Sequence, residues 1–376
     1  MNIEQTLKDA LRELGEIEFL PGLLIVPGAE VFERHADIFS KYAESLEKGL
    51  DERSMARFLY LDRSDFNACA FQRSGHQFIS INWGVVILLY DLFLRILSSP
   101  AALVRIGNPS EEVFLAKHKN LLLNARELPT SENDPFGLAV APINEARGAY
   151  ALYLVQIALD FLFMHEHQHV AGGHMFFMED SPISRISEIE NHAWIEDLLT
   201  RHVLELEADA AAANFSLGIA MDLKGNAWRI PPGAEDCLAT EESRIDAWLF
   251  AVMVMFLVME EAVNRRKARV THPSPMLRIW LVLSVLWVRN MRFTKPSQLL
   301  GFAIKIMREA DIAISSVAQR PSTKRFVLEH VSSTVDEHKI LLKRRWLEMN
   351  PRLEYLAEKY GALCAPLPLV EFFAEA

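Results

Sequence analysis

Residues 146–173 read ARGAYALYLVQIALDFLFMHEHQHVAGG, and the rest of the chain is interpreted around them. The stretch is long, apolar and free of proline. Gly172-Gly173 closes it in the manner of a helix C-cap, which predicts a helix over about 146–170. Near its end stand His165, Glu166, His167, Gln168 and His169. His165 and His169 are four residues apart, so they share one helical face with Cβ atoms about 5–6 Å apart. Two imidazoles at that spacing can share one tetrahedral zinc, while Glu166 points to the adjacent position, where it reaches water and not the metal. The competing reading is a histidine-rich helix end whose cations favour the C-terminal dipole.

A catalytic zinc needs a third protein ligand. Downstream, Glu205 and Asp209 are again four apart on a predicted helix that reaches about Phe215. Glu205 can take the metal while Asp209 accepts a hydrogen bond from the far nitrogen of a metal-bound histidine and so sets its tautomer. Ala208 and the run 210–213 around them suit close packing against a second helix.

Working outward, 3–18 shows helical periodicity with Leu7, Leu11 and Leu14 on one face, and a helix is expected over 30–48. Residues 66–84 alternate around Arg73-Ser74-Gly75, which predicts a β-hairpin leading into a helix over 85–97. The stretch 125–144 holds three prolines with Ser, Asn and Asp and reads as a loop or flap, and another loop is expected at Ser181-Pro182. Ser187 with Glu190 has the spacing of a capping box that opens the helix bearing Glu205. Two apolar helices flank 271–275, and the tail from 310 onward reads as mostly helical. The expected fold is mainly α with a small β-hairpin or sheet. An N-terminal helical segment (1–54), a central domain (55–310) and a C-terminal helical extension (311–376) are the expected parts.

Composition narrows the function. The chain has 376 residues and a net charge of −11, with short basic clusters only at 265–269 and 343–345, which argues against a nucleic-acid partner. Cys69, Cys237 and Cys364 show no paired spacing and read as free thiols of a reducing compartment. The first eighteen residues lack an apolar signal-like region. The longest uncharged apolar run, 247–259, spans thirteen residues. A bilayer takes about 18–20. No transmembrane segment and a cytoplasmic location are therefore expected.

In four stretches, taken in order, the chain resembles gluzincin zinc peptidases of the HtpX and CAAX-prenyl-protease type. They are Asn67-Ala68-Cys69-Ala70 with 78–85; His165 to His169 with His174; Glu205, Ala208 and Asp209; and Thr271-His272-Pro273 with Arg278-Ile279. A class-level likeness extends to the phage-exclusion protease Lit. The resemblance implies a zincin-type metallopeptidase fold and a zinc endopeptidase with one Zn2+ per chain. In that scheme His165, His169 and Glu205 are ligands and Glu166 is the general base. Asp209 supports a ligand, His272 donates to the oxyanion and Arg278 organises the site. Asn67, Ala68, Cys69 and Ala70 form the edge along which an extended protein or peptide substrate lies. Cys69 departs from the aromatic usual at its position. Two other readings remain: a catalytically degenerate peptidase fold serving as a sensor, and a helical di-iron carboxylate protein. The latter would need a second Glu-x-x-His, which the sequence lacks. Oligomeric state has no signature here.

Overall fold

The computed structural model describes residues 3–21, 29–46, 56–113, 121–128, 141–177, 183–187, 198–222, 227–266, 272–289, 295–318 and 332–360. They form a mainly helical protein with one small mixed sheet. The helices are α1 (Ile3–Leu14), α2 (Ala29–Leu46), α3 (Trp83–Leu97), α4 (Glu145–Ala171), the single-turn α5 (His174–Phe177) and α6 (Leu198–Met221). After them come α7 (Glu241–Arg266), α8 (Pro275–Arg289), α9 (Pro296–Ala318) and α10 (Ser332–Tyr360). The strands are β1 (Glu18–Phe19), β2 (Ala56–Leu61), β3 (Ala68–Arg73), β4 (His76–Asn82) and β5 (Ile183–Ser187), in the order β1-β2-β4-β3-β5.

The expected hairpin is β3–β4, antiparallel with Arg73 opposite His76. Its two central turn residues, Ser74 and Gly75, have φ of 50° and 81°. That double positive φ is the I′ geometry whose twist matches paired strands. β2 runs parallel to β4. Alternation puts Ala68, Ala70, Ile79 and Ile81 in the main core, while Cys69, Phe71 and Phe78 face Leu7 and Leu11 of α1. Both faces of the sheet are therefore covered. Leu14 is only partly buried against that second cluster.

α4 is the central element. Asn144 caps its start by accepting from the Arg147 N–H, and from Tyr153 to Val170 every side chain is buried. A helix apolar all round belongs in a core or a bilayer. α4 is the one described helix long and apolar enough to cross a membrane, and 89% of the relevant window is buried inside the protein. Counting uncharged runs missed it because Asp160 divides the segment, and Asp160 is itself paired with Arg229.

Three expectations change. Ser187, expected to open a helix, is the last residue of β5, which pairs antiparallel with β3. The boundary at 310 falls inside α9. The core is continuous from Phe32 to Leu353, so the segments before 55 and after 310 pack into the same body. Residues 129–140 of the expected flap, Ser181-Pro182, Glu190, Thr271, Cys364 and the tail beyond 360 lie outside the described residues.

Candidate metal centre

α6 lies along α4, and Ala208, Ala210, Ala212 and Ala213 are fully or almost fully buried on it. Small side chains let the two backbones approach, which brings Glu205 and Asp209 up to the histidines of α4. His165 Nε2 and His169 Nε2 lie 3.1 Å apart. Glu205 Oε2 is 3.3 Å from His165 Nε2, and Glu205 Oε1 is 4.0 Å from His169 Nε2. All three side chains are buried, and their donor atoms fall within 4.8 Å of one another.

Hydrogen bonds behind the histidines assign the protons. Asp209 Oδ1 lies 3.0 Å from His165 Nδ1. A carboxylate only accepts, so His165 Nδ1 carries the hydrogen and its Nε2 presents a lone pair. Asp209 is in turn held by Arg278, whose Nε and Nη2 each donate over 2.7 Å. Burial opposes the charge on Asp209, but the Arg278 guanidinium and the His165 bond outweigh it and keep its pKa below the usual carboxylate value. Arg278 also stacks its guanidinium 4.6 Å from the centroid of the Phe256 ring.

His169 is backed differently. Its Nδ1 lies 2.9 Å from His174 Nδ1, and His174 Nε2 lies 3.1 Å from Glu207 Oε2. Burial, foremost, drives the His169 pKa well down and keeps the ring neutral. His174 can fold back because α4 ends on glycines. Gly173 has φ of 73°, and a Cβ on Gly172 would meet Gln168 Nε2 at 2.6 Å and His174 Nε2 at 2.8 Å.

The convergence of electron pairs is the test of fit for a metal. His165 Nε2, His169 Nε2 and the Glu205 carboxylate face one another, and neither Glu205 oxygen has a hydrogen bond of good geometry. One proton could bridge only one pair among them, whereas a cation serves all three. Bonds of about 2.0–2.1 Å in a tetrahedron put ligand atoms about 3.3 Å apart. Two of the three separations, 3.1 and 3.3 Å, are close to that value. Burial opposes ionisation of Glu205, but His272, the largest of the opposing influences, helps hold its pKa well below normal.

The other expected residues are partly assembled here. Glu166 is buried beside His165 on α4. His272 precedes α8 and its Nε2 reaches to 3.5 Å from Glu205 Oε2. Arg278 holds Asp209 and also touches Phe256 and Met259. Asn67, Ala68, Cys69 and Ala70 are buried. The edge expected along them is not open: β5 pairs with β3, with Cys69 opposite Ser187 and Ala70 opposite Ile186. Among the described residues, His165, His169 and Glu205 form the single group able to hold a metal. Sequence reading did not connect Arg201, 3.9 Å from Glu205, or Trp346, which donates to Glu207 over 3.1 Å. Arg201 had an i, i+4 signal toward Glu205; Trp346, 139 residues from its partner, had none.

No protein-family model, curated protein or solved structure matches this chain.

Proposed function

We propose that this chain is a zinc-dependent endopeptidase of gluzincin type, with His165, His169 and Glu205 holding one zinc. The observation that carries the reading is the meeting of a buried carboxylate with two histidine lone pairs, each histidine backed at its far nitrogen by a hydrogen-bond partner. A zinc ion supplies Lewis acidity there, polarising a carbonyl and acidifying water to a pKa of about 7. Glu166, next in sequence to a ligand and buried with it, takes the proton from water and returns it to the leaving amine. His272 approaches from the α8 side and donates to the developing oxyanion. Arg278 and Asp209 hold the His165 ring in its tautomer. The substrate is a protein or peptide in extended form. With β5 along Cys69 to Arg73, strand addition there requires β5 to leave or to lend its own outer edge.

Elemental analysis and cleavage of unstructured casein test the proposal together. Purified protein should carry about one zinc per chain and lose both metal and activity to a chelator. Glu166→Gln should keep the zinc and lose roughly 10²–10⁴-fold in rate, because proton transfer is removed and ligation is not. Zinc lost along with the rate would make Glu166 a ligand. Cleavage undiminished in Glu166→Gln would remove Glu166 from the mechanism, and a wild type without chelator-sensitive cleavage would end the peptidase reading.

A further inference from the structure

The hydrogen bonds behind His169 do not stop at Glu207. Trp346 Nε1, on α10, lies 3.1 Å from Glu207 Oε1. Four side chains from α10, α6, α5 and α4 thus form one unbroken line that ends at a proposed metal ligand. Its direction follows from the chemistry of its far end. An indole N–H only donates, and a carboxylate only accepts. Glu207 therefore accepts from Trp346 at one oxygen and from His174 Nε2–H at the other. His174 is left with an acceptor at Nδ1, which receives the hydrogen of His169 Nδ1. That leaves the lone pair of His169 on Nε2, the atom 3.1 Å from His165 Nε2. All four side chains are buried, so water does not interrupt the line.

We propose that Trp346 is a positioning residue for His169, acting through Glu207 and His174, so that docking of α10 and metal binding at the centre strengthen one another. The inference rests on the zinc reading above. α10 is gripped on both sides of the line: Arg345 Nε donates to Thr200 Oγ1 of α6 over 2.9 Å, and the Arg352 guanidinium lies 4.7 Å from the centroid of the Phe177 ring of α5. A helix far along the chain thereby touches both elements that carry the relay. Linkage is reciprocal: whatever factor α10 docking adds to zinc affinity, zinc adds to α10 docking.

The line makes Glu207 hard to replace. A glutamine offers one acceptor and one donor, so it opposes either the indole N–H or the His174 N–H. The second conflict is relieved only by moving the His174 hydrogen to Nδ1, which would turn His169 to the tautomer that cannot ligate through Nε2. Supporting partners of metal-bound histidines typically change metal affinity by about 10–100-fold. The test measures the dissociation constant of Zn2+ by competition with a chromophoric chelator on the full chain. Wild type, Trp346→Phe, Glu207→Gln, their double variant and His169→Ala are compared, with circular dichroism as the check of folding. Trp346→Phe removes the N–H and keeps a ring, and should weaken zinc about tenfold. Glu207→Gln should weaken it by as much or more. The double variant should be no weaker than Glu207→Gln alone, because the two act in series. Zinc should also slow hydrogen exchange of α10 amides in the wild type, a readout available if Trp346→Phe does not fold. Folded single variants that bind zinc as the wild type does would overturn the proposal, as would a double loss equal to the product of the two. Exchange in α10 that ignores zinc would overturn it too. If wild type binds no zinc, or His169→Ala binds it equally well, the zinc reading itself has failed and this inference goes with it.

Discussion

His35 on α2 shows how strongly burial sets a single residue's chemistry in this protein. It is 2% exposed, stacks on Phe39 and has Tyr90 Oη 3.5 Å from its Nε2. Burial first, then the charges of Arg34 and Arg229, push its pKa down to about 3. The folded protein therefore keeps the ring neutral, whereas the unfolded chain takes up a proton below about pH 6.5. Stability from this group is complete above pH 6.5 and is lost as pH falls from there toward 3. Between pH 7 and pH 5 the loss is about 2 kcal/mol. Urea unfolding at the two pH values should show this difference between wild type and His35→Phe. An identical pH dependence in the two proteins would exclude His35 as its source.

At the scale of elements, α4 is tied to the end of α3 by one side chain. Arg147 is fully buried and donates to the carbonyls of Leu97, Ser99, Ala102, Leu103 and Ile106 at 2.7 to 3.2 Å, with Glu112 at 3.5 Å. The carbonyls belong to the last turn of α3 and the loop after it, so one guanidinium shapes the whole connection. Leucine at this position would leave five acceptors and the buried Glu112 carboxylate without that donor, and a cost of about 3–5 kcal/mol follows. Lysine keeps the charge but lacks the planar fork and its five donors, so it should recover only part of the loss. Urea denaturation of Arg147→Leu and Arg147→Lys measures both. A change below 1 kcal/mol for leucine would mean that the loop holds its shape independently.

Across the whole molecule, the candidate metal centre joins helices that are distant in sequence. Its donors come from α4 and α6, and its supports come from α5, α8 and α10. A ligand that binds only the assembled site should therefore stabilise the entire core. At free zinc a hundredfold above its dissociation constant the gain is about 2.7 kcal/mol. Thermal melts with and without zinc should differ accordingly, and His169→Ala should erase the difference. A zinc-induced shift that persists in His169→Ala would mean that zinc stabilises the fold from another place.

Local chemistry accounts for the parts that were legible from residues alone. The spacing of His165 and His169, the glycines after Ala171, the Ser74-Gly75 turn and the i, i+4 pair Glu205 and Asp209 are patterns within one helix or one turn, where the period of the backbone dictates who faces whom. Those patterns located the donors of the centre and the hairpin beside it. Tertiary packing alone decided the rest. β5 closed the edge of β3 by pairing antiparallel with the backbone of Cys69 to Arg73, more than a hundred residues earlier in the chain. The long apolar α4 became the middle of a protein core because its neighbours covered every side, Asp160 included, through Arg229. Trp346 met Glu207 across 139 residues, a contact that no local periodicity encodes, since it exists only once α10 has docked on α6.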